Sequence, residues 1–168
     1  MPSNKLAWLA ICIIFLLAIS TSGCIGSKRA YNGTYMSFEY PEDWNITKPV
    51  FLDRGEIEER ECVGIRSEDG FIGVAAYKRA SLEDIESIWI AGMMMQGPDI
   101  EISGPEYKTI DGVHCTIYTE RMYKGSSLIP KFIDKHYFFQ KDGRTFAIRC
   151  NIEVDDVAED IIKSIKPK

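Results

Sequence analysis

Histidine is scarce in this chain, and the signatures of familiar catalytic chemistry are missing. Only two histidines occur in 168 residues, and neither has a second histidine or a cysteine at helical or strand spacing. No C-x-x-C pair exists among the five cysteines, so neither a zinc ribbon nor a thioredoxin-type centre is supported. There is no G-x-S-x-G, no H-E-x-x-H and no phosphate-binding glycine loop. The serines of "KGSSLIP" (124–130) have no base beside them, and no cysteine has a recognisable histidine partner. These absences weigh against an enzyme only weakly, because triads assemble from distant residues. A basic cluster is also lacking: 20 Lys and Arg stand against 25 Asp and Glu, for a net charge of −5. A nucleic-acid surface needs cations to displace counterions, so nucleic acid is excluded as the main partner. The acidic run "DRGEIEERE" (53–61) matches no D-x-D-x-D-G loop and reads as a solvated loop or helix face. No metal or cofactor is implied.

Long apolar runs are nearly absent too, with one exception. From Leu6 to Ile19, behind Lys5, every residue is apolar: "LAWLAICIIFLLAI". Fourteen helical residues reach about 21 Å, short of a hydrocarbon core of about 30 Å. An export signal needs only about 7–15 apolar residues behind a positive start. Thr21, Ser22 and Gly23 then close on Cys24, a pattern that resembles the lipobox of prokaryotic lipoproteins. In that family the cysteine sulfur receives a lipid and the chain is cut just before it. Thr21 stands where the bacterial motif usually has Leu; archaeal lipoprotein signals look more permissive there. The resemblance implies lipid attachment at Cys24, with residues 1–23 a signal peptide or anchor and residues 24–34 a tether. Two alternatives stand beside it. With "STSGCIG" added, the segment from Leu6 to Gly26 is long enough to be a retained membrane helix, and the flanking cations (Lys5 before, Lys28 and Arg29 after) nearly cancel in orienting it. Simple secretion is the other. All three readings place the domain outside the cytoplasm, the first two at the cell membrane.

Cleavage before Cys24 would remove 23 of 168 residues and leave 145, a single-domain length. A chain of about 150 residues buries roughly 68–70% of its unfolded surface, so its core needs no metal or disulfide. Residues 35–168 are read as that one domain. Three Asp-Gly pairs, Asp69-Gly70, Asp111-Gly112 and Asp142-Gly143, each lie between strand-forming runs. Asp-Gly suits the two left-handed positions of a type I′ hairpin turn. Two-residue turns would set Phe139 opposite Phe146 and Tyr137 opposite Ile148, Ile110 opposite Val113, Ile65 opposite Val74, and Val63 opposite Ala76. Ser81 with Asp84 resembles a capping box, and Leu82, Ile85, Ile88, Trp89 and Met93 follow at helical spacing until Gly97-Pro98. A second helix carries Val154, Val157, Ala158, Ile161, Ile162 and Ile165 on one stripe, with acids at its start and lysines at its end. The fold class is therefore α+β: an antiparallel sheet built from hairpins, with helices packed against it.

"MSFEYPEDWNI" (36–46) resembles the Phe-x-Tyr-Pro-x-x-Trp opening of PsbP-like domains, the extrinsic photosystem subunit family, and "DIIKSIK" (160–166) is similar to that family's last helix. The resemblance covers roughly residues 31–166 and implies the α/β/α sandwich shared with the related Ran-GTPase release factor. It also implies a docking and assembly module for a membrane-associated protein rather than an enzyme. No metal or chloride site of the photosystem subunit is matched residue by residue. A cell-surface receptor for a small ligand or metal is the alternative, and a hydrolase comes after it.

Among single residues, the proposed registers set His114 opposite Thr109 and His136 opposite Arg149, both on the face away from the aromatic pairs. Surface or satisfied structural histidines are the simpler reading than a shared metal. Met93, Met94 and Met95 point around a helix rather than to one side, so they fill core rather than bind copper(I). Cys115 and Cys150 occupy apolar-facing positions on next-but-one strands, about 9–10 Å apart and beyond the ~7 Å limit for a bridge. They are read as buried free thiols, with a bridge from Cys62 to either left open. Asn32-Gly33-Thr34 and Asn45-Ile46-Thr47 are N-glycosylation sequons, so Asn32 and Asn45 are candidate glycan sites or simple turn residues.

Overall fold

Two antiparallel sheets share one apolar layer. A computed structural model describes residues 27–48, 59–125 and 127–168; the apolar run, Cys24 and most of the 53–61 charge run lie outside them. The elements are β1 (Lys28–Asn32), β2 (Met36–Pro41), β3 (Asn45–Thr47), β4 (Arg60–Arg66), β5 (Phe71–Tyr77), α1 (Leu82–Met94), β6 (Ile100–Ile110), β7 (Val113–Met122), β8 (Phe132–Lys141), β9 (Arg144–Asn151), a 3-10 turn (Ile152–Val154), α2 (Asp155–Ser164) and β10 (Lys166–Pro167). Seven strands form one sheet in the order β3-β4-β5-β9-β8-β7-β6, and β1-β2-β10 form a second. Among the described residues, no helix is long and apolar enough to cross a membrane.

The large sheet is covered on both faces. On one face Ile65, Ile72, Val74, Tyr137, Phe139, Phe146 and Ile148 meet Phe38 and Tyr40 of the small sheet and Ala158, Ile161 and Ile162 of α2. On the other, Ala75, Tyr118, Phe138 and Ala147 meet Ile85 of α1, with Leu82 and Trp89 packed alongside. Strands buried on both sides read as near-continuous apolar runs, which explains "YFF" in β8 and "FAI" in β9. Both helices form where the spacing places them. In α1 the Asp84 amide donates to Ser81 Oγ at 3.1 Å and the Ser81 amide donates back to Asp84 Oδ2 at 3.4 Å, a complete capping box. The triple methionine divides: Met93 is buried, whereas Met94 and Met95 are exposed, so only the first fills core.

Two of the three Asp-Gly turns are the expected two-residue hairpins. Asp111 and Asp142 have φ of 48° and 49°, their glycines 79° and 78°, and the registers Ile110↔Val113, Phe139↔Phe146 and Tyr137↔Ile148 follow. The third differs. Arg66 pairs with Phe71, Ile65 with Ile72 and Val63 with Val74, two residues away from the expected register, so Ser67–Gly70 is a four-residue loop closed by Ser67 N–H to Gly70 O at 3.0 Å. The cause is tertiary: the Phe71 amide donates to Asn151 Oδ1 at 2.9 Å, and Val154 packs where a Gly70 side chain would stand. Because the shift is even, each side chain keeps its face.

Residues 28–32, read from the sequence as part of a tether, are β1. Its one inward side chain, Tyr31, packs on Phe38 with ring centroids 5.2 Å apart. The β1–β2 turn is held by Glu61, the last residue of the charge run read as solvated. Its carboxylate accepts from Tyr31 OH (2.9 Å) and from the amides of Thr34 (2.8 Å), Tyr35 (2.7 Å) and Met36 (3.2 Å). A side chain at Gly33 would sit 2.0 Å from Glu61 Oε1 and would push the carboxylate out of this clasp. Burial pushes the Glu61 carboxyl upward, but these hydrogen bonds outweigh it and hold its pKa below 4.5. Its contribution to stability is thus present above pH 4.5 and lost as pH falls through the folded value. Glu61→Gln is expected to cost about 2 kcal/mol in chemical denaturation at neutral pH and to lose that part of the acid dependence. An unchanged midpoint and acid limb would remove the clasp from the fold.

Candidate functional site

On the face that α1 covers, the ends of β7, β8 and β9 nearest the β4–β5 loop carry polar side chains. This end of the sheet is termed the base. Strand alternation sends Glu120 of β7, Asp134 and His136 of β8, and Arg149 and Asn151 of β9 to the same side. Register sets Glu120 opposite Asp134, Asp134 opposite Asn151, and His136 opposite Arg149.

Glu120, Asp134 and His136 are buried, and they are paired accordingly. His136 Nε2 lies 2.8 Å from Glu120 Oε2. Arg149 donates from Nε and Nη2 to Asp134 Oδ2 at 2.9 and 2.7 Å, and its Nη2 lies 3.6 Å from Glu120 Oε2. Asn151 Nδ2 donates to Asp134 Oδ1 at 2.7 Å. The Trp89 ring of α1 packs on the imidazole, centroids 4.2 Å apart. Burial pushes the His136 pKa below 6.5, against the opposing pull of Glu120, so the ring is neutral at pH 7. Its one N–H is assigned to Nε2 from the Glu120 contact. Glu120 Oε1 is buried without a partner.

A cavity of about 600 Å³ adjoins this cluster. It exists because α1, 13 residues or about 20 Å long, cannot cover ten-residue strands about 34 Å long. Phe71, Met122 and Phe132 form its apolar wall, and Lys48 and Arg66 stand at its edge. The two buried carboxylates are already offset by Arg149 or bonded to His136. Lys48 and Arg66 are exposed and make no salt bridge among the described residues. Among the described residues the pocket therefore offers two cations without a salt-bridge partner beside aromatic surface, although Asp43, Glu68 and Asp69 line the depression that adjoins it at Arg66.

The histidines are not brought together. His114 is exposed near the Asp111-Gly112 turn, its Nδ1 3.0 Å from Thr109 Oγ1. Among the described residues no group of three or more His, Cys, Asp and Glu is placed to hold a metal ion. Cys62, Cys115 and Cys150 are free. Cys62 lies on the α1 side, the other two in the opposite core layer flanking β8. Burial raises all three thiols, Cys115 to about 11, so they stay protonated. Asn32 and Asn45 are exposed on β1 and β3. Cys24 lies outside the described residues. Arg149 was placed opposite His136 from the sequence, but Glu120, Asp134 and Asn151 were not singled out, although Asp134 and His136, two apart on one face of β8, were a usable signal.

No family model matches the chain, and no curated protein matches it in sequence. Solved structures do match. The chain is similar to cyanobacterial PsbP (CyanoP) from Synechocystis sp. PCC 6803 at TM-score 0.56 and 17% identity, over 88% of this chain and 98% of that one. A protein of Bacteroides thetaiotaomicron aligns at TM-score 0.44 and 15% identity, over 85% of this chain and 48% of that one. LpqN, involved in cell envelope biogenesis of Mycobacterium tuberculosis, aligns at TM-score 0.43 and 12% identity, over 84% of this chain and 91% of that one. The first match shows that the fold is the PsbP-like α+β fold.

Two measurements test the polar cluster. Arg149→Leu strands two buried carboxylates and is expected to destabilise by about 3 kcal/mol; a loss within error would mean that they do not depend on it. Unfolded His136 takes up a proton below pH 6.5 that the folded ring refuses, so stability should fall from that pH downward. Between pH 6.5 and about 5, above the carboxylate range, His136→Gln should flatten this slope. A slope that persists in the variant would contradict the buried neutral ring.

Proposed function

We propose that this chain is a membrane-anchored extracytoplasmic binding module that takes a small anionic ligand with an apolar body in the pocket at the base of its sheet. One observation carries the reading: a cavity of about 600 Å³, within the usual range of about 300–1,000 Å³ for small-molecule sites, has an aromatic wall and two cations that make no salt bridge among the described residues. Carboxylate or phosphate oxygens would be met by Arg66 and Lys48, and the ligand body by Phe71, Phe132 and Met122. Nothing in the cluster is arranged as an activated nucleophile: His136 is spent on Glu120, and Cys62, Cys115 and Cys150 are protonated. The module is accordingly read as a binder rather than an enzyme. The Leu6–Ile19 run and Cys24 supply the attachment, by lipid or by a retained helix.

A membrane-associated protein presenting a C-terminal carboxylate beside an apolar side chain would satisfy the same pocket, as expected of a docking module. Thermal-shift titration with aromatic and branched-chain carboxylates and phosphate esters tests the site. Stabilisation by at least one class should weaken about tenfold in Arg66→Ala, the loss of one charged hydrogen bond of about 1.5 kcal/mol. No shift with any compound, and none with a carboxylate-ended peptide, would reject the pocket as a binding site. Attachment is tested separately by the intact mass of the protein extracted from membranes. Cys24 as first residue plus lipid is expected, whereas a mass retaining Met1–Gly23 would leave the apolar run as the anchor.

A further inference from the structure

Large apolar side chains left in solvent are few among the described residues, and they gather at one place. Five of the eight, Met94, Met95, Leu128, Ile129 and Phe132, lie at the base. Leu128 is 96% exposed and Ile129 78%. Met122 pairs with both Phe132 and Ile100, which puts the ends of β6, β7 and β8 there. Helix α1 reaches Met94 just before β6 begins, and the Tyr123 amide donates to Asp99 O at 2.8 Å, tying that corner to the β7–β8 turn. The turn is closed by Lys131 N–H to Met122 O at 2.7 Å, so Leu128 and Ile129 project beyond the sheet between Lys124 and Lys131. The Lys131 ammonium lies 4.9 Å from the Phe132 ring centroid.

The chain enters the domain at this same end. Ser27 O accepts from the Glu42 amide, and the strand that follows, β3, begins at Asn45 opposite Arg66. From Ile19, the last residue of the apolar run, to Ser27 is eight residues, a reach of at most about 28 Å. We propose that the corner of the base formed by Met94, Met95, Leu128, Ile129 and Phe132 rests in the surface of a lipid bilayer. The proposal rests on the membrane attachment proposed above. The tether keeps the base near the bilayer under either attachment, because lipidated Cys24 stands closer still to Ser27 than Ile19 does. Lys124 and Lys131 bracket the apolar tip as cations bracket an interfacial segment on anionic lipid. Asp43, Glu68 and Asp69 line an adjoining depression at the β4–β5 side of the base, which shares Thr47 and Arg66 with the pocket. At the β7–β8 side, by contrast, Arg121, Lys124 and Lys131 outnumber Asp99 and Glu101, which favours that side toward an anionic surface. Were the anchor a single lipid chain it would hold the protein only marginally, and this corner supplies a second attachment.

The test is photolabelling of the full chain in vesicles of phosphatidylcholine and phosphatidylglycerol that contain a phospholipid with a diazirine in its acyl chain, with adducts mapped by mass spectrometry. Adducts are expected on Met94, Met95 and residues 128–132, and not at the opposite-end turns Asp111-Gly112 and Asp142-Gly143. In Leu128→Ser/Ile129→Ser, labelling of Met94 and Met95 should fall to the level of those turns. Both positions are solvent-exposed, so the variant keeps the core. Adducts confined to residues 1–26 would overturn the proposal while leaving the attachment standing. Equal labelling at both ends of the sheet would overturn it as well. No adducts anywhere would reject the attachment, and this contact with it.

Discussion

A seven-stranded sheet has two faces to bury, and this chain brings covers of unequal size to them. One face receives a whole second sheet and α2 together, and its core layer is continuous from Trp44 to Ile165. The other receives α1 alone. Uncovered sheet cannot remain apolar without cost, since burial contributes roughly 25 cal/mol per Å² removed from water and exposed apolar patches invite association. The residues change where the helix gives out: Ala75, Ala147 and Phe138 lie under α1, while Arg149 and Glu120, and Asp134 beyond His136, take the positions toward the base. The pocket follows from that mismatch of lengths.

Charged groups in a half-covered layer must be paired, because a lone buried carboxylate is far costlier than a paired one. Arg149 meets this need by bridging toward both acids, and its planar fork suits the task better than a lysine would. On the opposite face a parallel solution appears around Asp155 at the start of α2, which accepts from Tyr137 OH and pairs with Lys135. There the acid also sits where the helix N-terminus favours negative charge. Glu61 does the equivalent for the small sheet, so in these two places one carboxylate ties together separate elements.

The hairpins at Asp111 and Asp142 were legible because a two-residue turn fixes register from inside, through a local backbone requirement. The helices were legible from Ser81 and from the isoleucine stripe of α2. The turn at Asp69 was misread by two residues because Asn151 and Val154, eighty residues on, decide where its ladder ends. Strand β1 looked like tether because an edge strand with one inward residue, Tyr31, carries little alternation. The polar cluster was half legible. His136 opposite Arg149 followed from a two-residue turn, but Glu120 opposite Asp134 depends on the long β7–β8 connection, whose geometry no local motif specifies. The acceptors that Glu61 offers were hidden for a related reason: its partners lie on β1, the turn after it and the start of β2, and nothing in a run of charges shows which member points inward.

Within the large sheet every neighbouring pair is consecutive in sequence except one, β5 beside β9. Two meanders are thus sewn along a single seam, and that seam joins Ile72 to Cys150. During synthesis the first meander emerges long before its partner edge exists. Its unsatisfied margin is β5, "FIGVAAY", uncharged and buried on both faces once assembly is complete. Such an edge is a template for pairing with other chains until β9 arrives. The interval between translating these two strands is therefore the period in which a newly made copy most needs shielding from its neighbours, and slow elongation between residues 77 and 144 would lengthen it.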